Sequence, residues 1–599
     1  MIFRFAGAFG TPNIVSGDGL DGESEKSGNW MADGHYEFSA YDLDQTQYLL
    51  LFGADLLESG RPLSHLLRKW GRIRRERPNR AKIVMVHPRY SVTAAKSDEW
   101  IPISPGTEGA LAMGMAYVII QERLYDKAFI ERWTAGFENY RKVVFQYPLE
   151  QVSRITGIPS DTIQRLAREF AVTKPAIAMR GKGALYLPGG SYNSYAIHCL
   201  NGLVGSIDVP GGVLYQEKPH YKALPSIVED GIAKKGRGQP PVDFRGTERF
   251  PCARTVTNQV PESILEEIPY PTEMAIGFNC NFMMTAPSTK RWEEAMKKVP
   301  FYVHLSPFMN EMALYADLLL PVTTYLEEWG YDHSSHGAGF AEVRIKQPVV
   351  KPYGEAKSSM DILLMLAKKL GGSIEKSFAS LGEDQERFVQ FRTSSLMPWK
   401  DFLAKGVWVG PEYQYKKYDR IFKTPSKRFE FSSGNLETLF VKNGKRRDHR
   451  RDDRHRYDEV RFLGEKESYP LILHPYQPLM AFEHGSQNYP WAQEIYLPLH
   501  GIGWNTPVEI HSETARRLGI REGDEIWVES SFSKIKARAK CSEGLHPEVI
   551  AIPSGQGHYA YGRWQKGIGV NPHELIGVDF DRISGQSSYF NTRVKVYKA

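Results

Sequence analysis

Between residues 44 and 114 the hydrophobic period switches from strand to helix and back, and that alternation constrains the fold more than any other feature. Tyr48-Leu-Leu-Leu-Phe52 is an unbroken apolar run stopped by Gly53, the pattern of a parallel strand buried on both faces and opening into a loop. Residues 62–75 then space their apolar side chains as a basic, amphipathic helix. A second strand, Ala81-Lys-Ile-Val-Met-Val86, is stopped by Pro88, and Pro105-Gly-Thr107 opens a helix over 108–122. Strand–helix–strand units of this kind predict an α/β fold with ligands where strand ends meet loops.

A second α/β stretch runs from about Met274 to Gly371, with strands at 301–305 and 316–321 and a helix over 360–370. From Tyr469 onward short alternating runs such as Glu525-Ile-Trp-Val-Glu529 and 534–539 predict a small β-barrel or sandwich. Within it a short helix over 512–518 is expected to start on a Ser512 cap and to end at Gly519. A chain of 599 residues is too long for one core. The expected organisation is a partial α/β segment over 1–40, a dinucleotide-binding α/β domain over 41–215 and a returning α/β segment over 270–371. An irregular charged connection over 372–465 and a C-terminal β-barrel over 466–599 complete it. The fold class is thus interleaved, Rossmann-like α/β domains with a β-barrel cofactor-binding domain.

Composition excludes several functions. With 41% hydrophobic and 24% charged residues the chain reads as an ordinary globular protein, and no apolar run approaches the roughly 18–20 residues that cross a bilayer. The net charge of +6 is concentrated between Lys442 and Arg461. That run reads as a solvated linker or a docking patch for an acidic partner; no recognition motif accompanies it, so nucleic acid is not an expected partner. Cys199, Cys252, Cys280 and Cys541 are scattered without a C-x-x-C pair. They read as small buried hydrophobes, and neither a zinc site nor an iron–sulfur cluster is expected from this chain alone. The start, Met-Ile-Phe-Arg-Phe-Ala-Gly, lacks the pattern of a secretory signal.

Several strings occur together and in order: Phe9-Gly-Thr-Pro-Asn13, His87-Pro-Arg-Tyr-Ser-Val-Thr-Ala94, Ser104-Pro-Gly-Thr-Glu-Gly-Ala-Leu111 and Gly205-Ser-Ile-Asp-Val-Pro-Gly-Gly212. Glu311 with Ala316-Asp-Leu-Leu-Leu-Pro321, Gly557-His-Tyr-Ala-Tyr-Gly562 and Gly569-Val-Asn-Pro572 follow. Together they resemble the molybdopterin oxidoreductases of the dimethyl-sulfoxide-reductase family, nearest the thiosulfate, polysulfide, tetrathionate and arsenate reductase branch.

The resemblance implies molybdenum or tungsten held by a bis(molybdopterin guanine dinucleotide). Pyrophosphates favour backbone N–H groups at glycine loops and helix N-termini, and Gly53 with Asp55 and Gly106 with Thr107 stand at such corners. Gly183 is placed with them as a cofactor contact. Glu108 stands where the family places an Asp, and one carboxylate can accept two adjacent N–H donors of a guanine edge. The same Glu is also what a helix start favours. His87, Pro88 and Arg89 match a nucleotide-contacting string in which relatives carry Asp before Pro-Arg. Asn279, Ser306, Asn571 and Asn591 match further cofactor contacts, and each is equally an ordinary turn residue.

In this branch a Cys commonly ligates the metal shortly after the Phe-Gly-Thr-Pro-Asn string; here Asp21 falls at that place. A carboxylate suits a hard, oxidised centre, so Asp21 is the candidate catalytic metal ligand. It is also readable as a polar residue of a glycine-rich loop. His333 and His336 are candidates for lining the pocket or for a surface loop. The family's N-terminal iron–sulfur domain has no counterpart in this sequence. The implied function is a catalytic subunit acting on a small inorganic sulfur compound or oxyanion. An iron–sulfur subunit and a quinone-reacting membrane subunit are its implied partners, in the periplasm. The alternative is a metal-free, molybdopterin-like structural subunit of a quinone-linked complex.

Overall fold

The computed structural model describes residues 1–76, 80–333, 337, 339–442, 457–479, 486–500 and 504–599. The apolar run at 48 becomes β1 (Tyr48–Phe52), the central strand of a four-stranded sheet with β2 (Lys82–Val86), β3 (Glu99–Ile101) and β4 (Ala176–Arg180). The order is β3-β2-β1-β4 and every pairing is parallel, with Phe52 opposite both Val86 and Arg180. All five residues of β1 are buried, as a parallel strand covered on both faces requires. The helix expected over 62–75 forms at Leu63–Gly71 and continues as a π-helical turn over Arg72–Glu76.

Helices cover the sheet. Glu23–Ala32 (α1), Glu108–Gln121 (α2) and Gly190–Leu203 (α3) are buried along most of their lengths. The approach of α1 to α3 is close enough that a Cβ on Gly28 would sit 2.1 Å from Ser194 Oγ. A second, three-stranded parallel sheet follows, in the order β7-β6-β5 for β5 (Ala275–Phe278), β6 (Tyr302–Ser306) and β7 (Leu318–Pro321).

The region over 372–465 is not an irregular connection where it is described. It carries helices at Gly372–Phe378, Gln385–Thr393 and Trp399–Lys405. Phe378, Leu381 and Phe388 form a small core with Met360, Leu363 and Phe5. Each helix is only seven to nine residues long, so its few apolar residues make no readable period, and tertiary packing supplies what propensity does not. Most of the basic run at 442–461 lies outside the described residues.

The C-terminal region closes as a six-stranded barrel: β8 (Leu471–Tyr476), β9 (Pro507–His511), β10 (Glu525–Glu529), β11 (Lys534–Ser542), β12 (Val549–Pro553) and β13 (Arg593–Lys598), in the order β8-β12-β9-β11-β10-β13. The helix within it spans Ser512–Arg517, and its cap is His511 rather than Ser512: the His511 side chain accepts the Glu513 N–H at 3.2 Å.

Two buried clasps fix the barrel to the sheets. Arg89 donates to Glu58 at 2.9 Å and to Glu509 of β9 at 3.0 Å, with its guanidinium 3.5 Å from the centroid of the Tyr476 ring. Backbone bonds reinforce it, from His546 N–H to Pro88 O and from Tyr90 N–H to Gly544 O. In the second clasp the Glu311 carboxylate accepts from Asn281 Nδ2 at 2.8 Å, from His558 Nδ1 at 3.0 Å and from the N–H groups of Tyr559, Ala560 and Tyr561. No helix among the described residues is long and apolar enough to cross a membrane.

Candidate functional site

The carboxyl ends of β1, β2 and β4 deliver Gly53, His87 and Gly183 to one edge of a cavity of about 1840 Å³. That exceeds the roughly 300–1,000 Å³ of ordinary small-ligand pockets. Asp55 and Asn279, the latter at the end of β5, line it as well, and so does Asp21. The barrel closes the far side with His474, Tyr476, Tyr589 and Phe590.

Gly53 has φ +60°, and the loops after β1 and β4 touch so closely that a Cβ on it would meet Gly183 Cα at 2.6 Å. The two loops are zipped by hydrogen bonds from Gly183 N–H to Gly53 O and from Gly181 N–H to Phe52 O. These glycines therefore serve loop packing at the cavity edge. Asp55 accepts from the Ser91 hydroxyl at 2.9 Å.

Asp21 terminates the short 3-10 helix Gly17–Leu20 and keeps 37% of its side-chain surface, because it faces the cavity. Lys182 Nζ lies 3.2 Å from it and Arg61 Nη1 3.6 Å. Enclosure by protein alone would raise its carboxyl, but these two cations hold it down at about 2, so it is an anion at any physiological pH. His87 is driven down to about 4 by burial, with the Arg89 charge adding to the effect. His474, packed edge-on against His87 with centroids 5.1 Å apart, lies well below its ordinary value for the same reasons. Both imidazoles are thus neutral, and His87 Nδ1 accepts the Arg89 N–H at 2.9 Å.

Other residues singled out in the sequence lie elsewhere. Pro88 and Arg89 belong to the barrel clasp. Glu108 is fully buried at the start of α2, outside the lining of this cavity, and neither of its carboxylate oxygens closes a hydrogen bond. Burial pushes its carboxyl up to about 8, although the Glu108 and Gly106 N–H groups draw it the other way. Tyr457 and Val460 cover that corner: a Cβ on Gly106 would meet Val460 Cγ2 at 2.7 Å. Thr107 turns its hydroxyl to Ser104 O at 2.7 Å. Ser306 accepts the Phe308 N–H, Asn571 caps the helical turn Pro572–Leu575, and Asn591 donates to Asp579 at 2.8 Å while its Oδ1 has no partner. His333 does line the cavity, whereas His336 lies outside the described residues. Of the cysteines only Cys199 is fully buried; Cys280 borders the cavity, and burial pushes its thiol up to about 11, so it is no thiolate.

Sequence reasoning passed over Lys182, Arg61, Arg180 and His474. Lys182 was marked by its place in Arg180-Gly-Lys-Gly183 directly after a strand, a spacing that puts a cation at a strand-end corner. These residues fit a large anionic cofactor: the cavity is big enough, cations and neutral imidazoles line it, and Arg180, one of its lining residues, keeps buried donors without partners.

Residues 9–369 match the family model of molybdopterin oxidoreductase, and residues 488–593 that of a molydopterin dinucleotide binding domain. The chain is 30% identical to the arsenate respiratory reductase molybdopterin-containing subunit ArrA of Chrysiogenes arsenatis, over 98% of this chain and 80% of that protein. It is 28% identical to the thiosulfate reductase molybdopterin-containing subunit PhsA of Salmonella typhimurium, over 93% and 74% respectively. Its fold is similar to that of acetylene hydratase from Pelobacter acetylenicus, with a TM-score of 0.79 at 22% identity, covering 100% of this chain and 84% of the other. With more than half of its length matched by the first of these family models, the chain belongs to the molybdopterin oxidoreductase family.

Proposed function

We propose that the chain is the catalytic subunit of a respiratory reductase or oxidase for a small inorganic oxyanion or sulfur compound, of the arsenate or thiosulfate kind. The observation that carries this reading is the convergence of the Asp21 carboxylate, the Lys182 and Arg61 cations and two neutral imidazoles on one cavity of about 1840 Å³. When bound there as a bis(molybdopterin guanine dinucleotide), molybdenum or tungsten would supply the redox change that accompanies transfer of an oxygen or sulfur atom.

The chain's own part is to bind and to orient. Asp21, ionised throughout the physiological range, is the candidate protein ligand to the metal. Lys182 and Arg61 neutralise it and attract anionic groups into the cavity. His87 from the sheet side and His474 from the barrel side present uncharged rings where the two meet. Tyr186, stacked 5.8 Å from Phe590, closes the barrel side as an aromatic wall. Glu108, at a separate buried corner outside this cavity, has two oxygens lacking partners and, once ionised, would suit the paired N–H edge of a guanine. Electrons would be exchanged with a quinone-reacting membrane subunit through an iron–sulfur subunit, with the complex in the periplasm.

A second reading, a metal-free subunit that organises such a complex, is favoured by one observation. Lys182 and Arg61 already satisfy the charge of Asp21 without any metal. Metal analysis of the native protein, together with release and detection of the pterin, separates the two. Stoichiometric molybdenum or tungsten with guanine dinucleotide supports the enzyme. Neither metal nor pterin sinks it and leaves the structural subunit.

A further inference from the structure

Arg180 ends β4 with its side chain wholly enclosed, at 0% exposure. One of its nitrogens, Nη2, is committed to Asn29 Oδ1 of α1 and to Ser39 Oγ, the latter at 3.0 Å. The other two, Nε and Nη1, have no hydrogen-bond partner. Tyr41, two residues beyond Ser39, holds a hydroxyl that is likewise buried and without a partner. Both residues are among those that line the large cavity. The nearest carboxylate, Glu25, stands 3.9 Å from Arg180 Nη2 and accepts the Ser39 N–H at 3.2 Å.

Desolvating a guanidinium without filling its donors is costly, and native proteins rarely leave one so. Here two such donors and a phenolic hydroxyl lie buried on two residues that line the same cavity. Burial pushes the Tyr41 phenol up to about 12, with Glu25 acting in the same direction and Arg180 opposing, so it remains a hydrogen donor. Asn29 and Ser39 hold the guanidinium from behind and fix the direction of its free N–H groups, the preorganisation that makes an arginine selective for planar or tetrahedral oxyanions.

We propose that Arg180 and Tyr41 form the recognition site for a small inorganic oxyanion within the cavity, held by the Arg180 Nε and Nη1 donors and the Tyr41 hydroxyl. The proposal rests on the reading of the cavity as a substrate chamber, but it needs no turnover. A pyrophosphate of the dinucleotide has the same chemistry. The site nevertheless favours the free anion, because the donors come from two side chains clamped by α1 and the 39–41 segment. A pyrophosphate is commonly held by a glycine loop or a helix N-terminus.

The test is calorimetric titration of arsenate into the purified protein at neutral pH, for the wild type, Arg180→Gln and Tyr41→Phe, with released pterin quantified in each. Expected is a Kd for arsenate raised at least about tenfold in Arg180→Gln and several-fold in Tyr41→Phe, with pterin content equal to wild type. Unchanged arsenate affinity in the variants overturns the proposal, as does a wild type that binds no arsenate. Pterin loss without a change in arsenate affinity assigns the donors to the dinucleotide and also overturns it. If Arg180→Gln does not fold, Tyr41→Phe, which removes one hydroxyl and no volume of consequence, decides alone. A wild type that lacks metal and pterin yet binds arsenate through these residues ends the redox reading and leaves the anion site standing.

Discussion

Lys182 Nζ stands 3.2 Å from Asp21 Oδ2, so the carboxylate placed for a metal is charge-paired by the neighbour of the cavity-edge glycine Gly183. The pair explains how a carboxylate can wait, ionised and enclosed by protein, until something with more positive charge takes its place.

Asp21→Ala is expected to lower the metal content of the purified protein by on the order of tenfold or more while leaving pterin in place. Lys182→Met removes only the competing cation; Arg61 remains at 3.6 Å, so metal retention is expected to stay at or above the wild-type level. Metal analysis of both variants is the check. Full retention in Asp21→Ala would rule out the ligand role.

Arg89→Met leaves Glu58 and Glu509 buried and facing each other without their cation. Breaking a buried ionic group in this way costs about 3–5 kcal/mol, so denaturant unfolding should shift to clearly lower midpoints. Because the clasp joins barrel to sheet, the loss should appear first as release of the barrel, read by proteolysis between the two.

Glu311 contributes acid-sensitive stability. Burial alone would raise its carboxyl, but the His558, Asn281 and backbone N–H donors bring it down to about 2. A depressed carboxyl stabilises fully above its ordinary 4.5, and that contribution is lost as pH falls through about 2. Glu311→Gln should cost about 1–3 kcal/mol at neutral pH, as expected for unsatisfied buried donors, and flatten the acid limb of a stability–pH profile. An unchanged acid limb would count against the assignment.

Glu108 runs the opposite way. Its carboxyl, raised to about 8, binds a proton in the folded state that the unfolded chain releases near 4.5. Folded stability therefore declines as pH climbs from 4.5 through about 8, and thermal melts of cofactor-free protein should show that slope. Glu108→Gln keeps the shape, removes the charge and should abolish it. A slope that survives the substitution would locate the titrating group elsewhere.

What the sequence made legible was local. Gly53 and His87 lie next to the ends of strands whose apolar runs announce them, whereas only the family resemblance places Gly183 and Asp21. Arg89 matched a nucleotide-contacting string, yet its partners are Glu58 and, 420 positions away, Glu509. A pairing at that separation leaves no trace in one sequence. His474 is hidden inside the run Leu471–Tyr476, where nothing distinguishes a cavity-facing ring from a core one. Arg180 drew no notice in the sequence, because nothing local marks an arginine whose side chain ends up wholly enclosed. The helices over 372–405, seven to nine residues each, are too short for their period to show.

The cavity walls come from Asp21, His87, Asn279, His474 and Phe590, segments that meet only when sheets and barrel have docked. Whatever fills the space therefore binds the assembled state alone, and its binding free energy is added to the cohesion between the two halves. The occupant acts as mortar. Loading it is an act of assembly as much as of ligation, since each occupied cavity holds the docked halves together by mass action.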